Sequence, residues 1–188
     1  DFGKDIIPSV IEDHKVQAYP FVDEDGDPVY WRDVGTVESY WKASLDLCSI
    51  TPDLNLYNED WPIWTYQAQM PPAKFIFDDE GRRGEAIDSM VAGGCIVSGA
   101  RIKRSVISSG GRVHSYCLIK DSVLLPRVEV GRNSRIQNAV IDKGCVIPPD
   151  TVIGEDAKLD AERFYVEPQS GIVLVTPDML GQNIHMTR

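Results

Sequence analysis

The sequence predicts a three-faced β-solenoid through residues 96–153, and a set of ladders in phase predicts it. Ile96, Val113, Val130 and Ile147 recur every seventeen residues, as do Ile102, Ile119, Ile136 and Ile153. Val106, Val123 and Val140 keep the same step, and so does a ladder of small side chains, Ala100, Cys117, Ser134 and Thr151. A fixed internal period dictates architecture ahead of local propensity. The repeat is too short for a pair of helices and suits a coil of three short faces, each about six residues, in which every coil touches only its neighbours. The apolar ladders are expected to stack inward, with the small ladder at a crowded place in the cross-section.

Composition sets the outer limits. The chain has 188 residues, 43% of them hydrophobic, and a net charge of −10. That length allows one large domain or two small ones. The acidic balance argues against non-specific nucleic-acid binding, which needs a basic footprint. Any phosphate ligand must meet a local basic site. No run of about eighteen apolar residues is present, so no membrane-spanning helix is expected. The opening Asp1-Phe2-Gly3-Lys4-Asp5 lacks the apolar stretch of a signal peptide. It also lacks an initiator methionine, and a piece of a longer protein is expected. Cys48, Cys95, Cys117 and Cys145 form no CxxC pair and read as buried free thiols of a reducing compartment, the cytoplasm.

In chain order, Lys4 to Asp13 reads as a short helix with Pro8 near its first turn and Ile6, Ile7, Val10 and Ile11 on one side. Val16 to Val22 and Val29 to Val34 read as strands around an acidic turn. That turn is not a calcium loop, because Pro28 and Val34 stand where glycine and a carboxylate are required. Alternation puts Trp31 and Asp33 on one strand face. Thr36 is a natural N-cap for a helix running to about Leu47, so Trp31 and Asp33 precede a helix N-terminus, a common ligand position in α/β folds. Ile50 to Phe77, rich in proline and aromatics, reads as an ordered extended connector packed on both neighbours. Asp78 to Ala86 reads as an exposed charged loop. After the repeat, Glu155 to Phe164 reads as a helix and Ile172 to Val175 as a strand. The last eight residues read as loose.

Six stretches carry a resemblance: 1–8 (DFGKDIIP), 30–36 (YWRDVGT), 61–63 (WPI), 71–75 (PPAKF), 140–143 (VIDK) and 171–176 (GIVLVT). Together, in order, they resemble the ADP-glucose pyrophosphorylases, the bacterial glucose-1-phosphate adenylyltransferases of glycogen synthesis. The resemblance implies three parts. Residues 1–48 would be the end of a catalytic α/β nucleotidyltransferase domain and 49–90 a connector. Residues 91–188 would be a left-handed parallel β-helix for regulation and oligomerisation, with a C-terminal helix and strand. The left hand comes from the resemblance alone.

The family's reaction joins ATP and glucose 1-phosphate to give ADP-glucose and pyrophosphate, with Mg²⁺ sharing the developing charge. The resemblance implies that Asp33 is one of two metal-binding aspartates, and that Asp1, Phe2, Trp31 and Asp33 line the glucose 1-phosphate pocket. Without it, Trp31 reads as a core aromatic and Asp33 as a turn or capping residue. The family is regulated by anionic metabolites and is typically homotetrameric. Lys143 matches a basic effector position, for which the plain alternative is a solvated lysine at a coil corner. Pro177 and Gly181 stand where relatives carry basic residues, and Arg127, Arg132 and Arg135 are local alternatives. No Gly-rich phosphate loop follows a strand in this chain, so it is expected to be inactive alone. Two other readings stand beside this one. In a hexapeptide-repeat acyltransferase His114 would be the catalytic candidate. The other is a non-catalytic regulatory and assembly module.

Overall fold

The computed structural model describes residues 1–23 and 25–183. The chain divides into two compact units, Asp1–Trp31 and Arg32–Arg188. In the first, a π-helical turn, Phe2–Ile6, runs into α1, Ile7–Val10, with Asp1 as N-cap accepting the Lys4 N–H. The helix expected at Lys4–Asp13 is therefore present but shorter. Ile6 and Ile7 are exposed, whereas Val10 is half-buried. The two strands expected around the acidic turn do not form. Only an isolated bridge joins Val22 to Pro28. A two-stranded ribbon without a third strand or a helix to pack on is marginal, and Pro28 removes one ladder donor.

The second unit is a parallel β-solenoid, as the repeat predicts. One face stacks Lys74–Ile76, Ile96–Ser98, Arg112–Val113, Glu129–Val130 and Val146–Ile147. The next stacks Glu85–Ile87, Arg101–Lys103, Leu118–Lys120, Arg135–Gln137 and Val152–Ile153. The third stacks Met90–Val91, Val106–Ile107, Val123–Leu124, Ala139–Ile141 and Val173–Val175, with Tyr165–Val166 antiparallel at its edge. The ladder thus begins at Lys74, inside the stretch expected to be connector. Asp78–Asp79 and Arg82–Arg83 pair as a hairpin, where an irregular loop was expected. Glu80-Gly81 is the two-residue turn, with Gly81 at a left-handed φ of +74°.

Each coil sends one side chain inward per face. Val97, Ile102 and Ile107 lie under Val113, Ile119 and Leu124, then Val130, Ile136 and Ile141, all buried. Two expected ladders are corrected. Val97, not Ile96, pairs with Val113, because that coil's first corner is a residue shorter: five positions separate Val97 from Ile102, against six from Val113 to Ile119. And Val106, Val123 and Val140 point outward, where α2, Val37–Asp46, covers them. The small ladder does sit at a crowded corner. Ala100, Cys117 and Ser134 are buried there, and the Ser134 hydroxyl donates to Pro148 O at 3.0 Å.

A ladder of serines stitches a second corner. The hydroxyls of Ser89, Ser105 and Ser122 donate to carbonyls two residues back at 2.7–2.8 Å. Each also accepts an N–H from the next coil, those of Ser105, Ser122 and Ala139. The corner itself turns through Asp88, Arg104, Asp121 and Asn138, all at φ of 44–49°. Asp and Asn tolerate that conformation best. The connector's aromatics remain outside: Trp61 is 82% and Trp64 90% exposed. Their expected packing is corrected. Proline breaks residues 50–73 repeatedly and that part joins no ladder, so nothing clamps these rings. At the far end α3, Ala157–Ala161, is shorter than expected and is capped by Asp156. Of the tail expected to be loose, residues 184–188 lie outside the described residues.

The thiols are free as expected, and Cys95, Cys117 and Cys145 are buried, but Cys48, expected to be buried, is only half-buried. Burial raises the pKa of Cys95, Cys117 and Cys145 above 9.0, the last, with help from the Asp142 carboxylate, to about 12. A disulfide reagent at pH 8 is expected to leave all three unmodified until the chain unfolds, when they react together; rapid native labelling of Cys145 would contradict its burial. Because the unfolded chain ionises Cys145 at lower pH than the folded one, this thiol favours unfolding progressively from about pH 9 towards 12. Below pH 9 it leaves stability level.

Candidate functional site

Asp1, Phe2 and Trp31 belong to the first unit, Asp33 and Lys143 to the second. Asp1 spends one carboxylate oxygen on the Lys4 N–H at 2.9 Å. Phe2 is exposed. Trp31 is 81% exposed and meets Phe21 edge-on at 6.4 Å between centroids, so it is not a core aromatic. No strand carries Trp31 and Asp33.

Asp33 is exposed. Its Oδ1 accepts the Gly35 N–H at 2.9 Å, which fixes the turn into α2. Thr36 caps the helix as expected, accepting the Ser39 N–H at 3.1 Å. The helix is fastened along its length. Val37, Tyr40, Trp41 and Leu45 pack on Val123, Val140 and Ile172. The Trp41 indole N–H donates to Asp121 O at 2.8 Å. Arg32 reaches Asp46 at 2.5 Å and Asp53 at 3.3 Å, and the Cys48 thiol donates to Ser105 O at 3.6 Å. Asp121, buried, pairs with Arg104. Between α2 and this corner lies a cleft of about 390 Å³, lined by Trp41, Leu45, Cys48, Arg104 and Asp121 among others.

Sequence reasoning missed this seat. The signal was present in Val106-Ile107, Val123-Leu124 and Val140-Ile141. Apolar doublets on strands mean that both faces are covered.

Lys143 is exposed at a coil corner beyond Ala139–Ile141, its N–H donating to Asp142 Oδ1 at 2.7 Å. Among the described residues no carboxylate lies within ion-pair reach of its ammonium group. Two of the alternative cations are engaged: Arg135 pairs with Glu155 at 2.6 Å, and Arg132 lies over the Tyr116 ring. Pro177 starts a 3₁₀ turn, Asp178–Leu180, that Gly181 ends. His114 meets Glu129 of the next coil at 2.8 Å.

Residues 71–175 match the GlmU-like, C-terminal hexapeptide family. The chain belongs to that family. The hexapeptide match begins just ahead of Lys74, where the parallel ladder starts. Residues 1–50 match the nucleotidyl transferase family. Across its whole length the hexapeptide chain is similar to a protein named glucose-1-phosphate adenylyltransferase from Hydrogenovibrio crunogenus, 84% identical over 188 residues, all of this chain and 44% of that protein. Proteins of the same name from Thiobacillus denitrificans and Methylococcus capsulatus are 65% and 60% identical, over 98% and 100% of this chain and 42% and 44% of theirs. The chain therefore spans less than half the length of the curated relatives it matches. The resemblance seen in the sequence holds.

Asp33 fits one ligand of a Mg²⁺ ion. It is a hard, exposed oxygen donor, and Mg²⁺ commonly takes one or two carboxylates with substrate phosphates and water. No group of three metal-binding side chains exists among the described residues. An ion bound there would supply positive charge that neutralises neighbouring anionic oxygens. What the chain itself does is hold the Asp33 carboxylate at the entry of a pinned helix.

Proposed function

We propose that the protein carrying this chain makes ADP-glucose and pyrophosphate from ATP and glucose 1-phosphate, using Mg²⁺. The chain contributes Asp33 to the metal, and Asp1, Phe2 and Trp31 to the sugar phosphate. The observation that carries this reading is end-to-end similarity to enzymes of that name, up to 84% identity, with Asp33 standing exposed before α2. In this reading the solenoid assembles a homotetramer in the cytoplasm and binds an anionic metabolite at Lys143, whose ammonium group has no carboxylate within ion-pair reach among the described residues. The full-length protein, given glucose 1-phosphate and each nucleoside triphosphate in turn, is expected to form a nucleotide sugar from ATP far faster than from UTP. Preference for another nucleotide, or for an acyl donor through His114, would overturn the assignment.

The effector reading has its own test. Lys143→Ala in the full-length enzyme is expected to weaken activation by an anionic metabolite about tenfold, the loss of one charge-assisted contact, while the unstimulated rate stays unchanged. An unaltered activation curve would return Lys143 to the solvated surface.

A further inference from the structure

We infer that Trp41 is a positioning residue for Asp33, and that α2 transmits the position of the solenoid to the metal carboxylate; this rests on the proposed role of Asp33. Four observations converge. Asp33 is tied to the turn that enters α2 through the Gly35 N–H, and Thr36 closes the cap. The helix seats its apolar side on outward residues of the third face, Val123 and Val140, rather than on a core of its own. Among the described residues, the polar fastening made by α2 itself is the Trp41 indole N–H on Asp121 O, at 2.8 Å, with the Cys48 thiol beyond the helix end reaching Ser105 O at 3.6 Å. Asp121 in turn is a left-handed corner residue, held by Arg104 of the preceding coil and by its own N–H on Lys103 O at 3.1 Å. The carbonyl that receives the indole is therefore part of a rigid stack.

The consequence is geometric. An isolated helix of ten residues is marginal in water, so α2 takes its place from the valine face. Weakening that seat lets the helix sample positions in which Asp33 is misplaced. The apparent metal affinity then falls with the competent fraction. The same face reaches the candidate effector corner. Val140 packs under α2, and Lys143 stands three residues later on the same chain segment. A shift of the Ala139–Ile141 strand is thus felt both at Lys143 and under Trp41. This is a contiguous, packed connection of the kind energetic coupling requires.

The test uses the full-length enzyme and two variants that spare every catalytic and metal-binding group. Trp41→Phe removes the indole donor and keeps an aromatic ring. Val140→Ala leaves all hydrogen bonds and thins the seat. For each, Mn²⁺ affinity is measured by calorimetric titration in the presence of ATP, alongside Mg²⁺ dependence of the rate and the melting temperature. We expect both variants to bind Mn²⁺ about three- to tenfold more weakly, the range commanded by one net hydrogen bond or a few methyl contacts. The Mg²⁺ requirement should rise in parallel, with kcat at saturating metal within about twofold. Lower melting temperature with unchanged metal affinity would make Trp41 merely structural and overturn the inference. Asp33→Asn separates the two layers. If it keeps wild-type metal binding, both the role of Asp33 and this inference fall. If it abolishes metal binding while the two seat variants do not weaken it, the inference alone falls.

Discussion

Asp33→Asn in the full-length enzyme is expected to cost at least about a hundredfold in kcat, more than the 10–100-fold typical of outer-sphere partners of a metal, with stability unchanged. The substitution isolates charge from architecture. Asn keeps a side-chain oxygen to accept the Gly35 N–H, so the turn into α2 and the Thr36 cap persist. Asp33 is exposed, and surface substitutions that preserve such a contact change stability by about 0.5 kcal/mol or less. What disappears is the anionic oxygen that a hard cation prefers. Rates and melting curves on the same preparation check both halves. A variant that melts early and loses activity in proportion would reassign Asp33 to folding. A stable variant with normal rates would remove it from the site.

Gly154→Ala is the largest stability loss expected. Gly154 holds a left-handed φ of +83°, which costs a residue with a Cβ roughly 1–2 kcal/mol. A Cβ there also falls 1.7 Å from the Gln137 carbonyl oxygen and 2.8 Å from its carbon. That is backbone of the neighbouring coil, so no rotamer change relieves it. The same glycine gives its N–H to Asp160, 1% exposed, at 2.7 Å, and its carbonyl to the Gln137 amide at 3.0 Å. Overpacking adds about 1–3 kcal/mol, for a total of about 2–5 kcal/mol and a melting temperature lower by roughly 10 °C. Gly81→Ala is the control. Gly81 has a similar φ of +74° with open space around it, and should lose only the conformational part. Equal losses at both sites would mean the coils are looser at the C-terminal corner than the contacts require.

The solenoid was legible because its physics is periodic. A coil repeats the same inward position each turn, so Ile102, Ile119, Ile136 and Ile153 announce themselves, and all four lie in the second face or its core as expected. Direction was harder to read. Val106 and Ile107 are neighbours of equal apolarity, and only the presence of α2 decides that the valines face out. The serine ladder escaped notice because serine is common, and its meaning lies in hydrogen bonds between coils rather than in apolarity. The strands expected around Trp31 failed for a different reason. Alternation describes what a segment suits, and a strand exists only with a partner. Asp33 itself carries no local signature that separates a metal ligand from a capping residue. The role proposed for it rests on resemblance, and its setting comes from the structure.

The most direct measurement is pyrophosphate release from ATP and glucose 1-phosphate, made side by side on the full-length protein and on this 188-residue chain. The full-length protein should release pyrophosphate in a Mg²⁺-dependent manner and respond to an anionic effector, while the chain alone, with no Gly-rich phosphate loop, should release none. Turnover by the chain alone, or a full-length protein that is well folded and inert, would contradict the account.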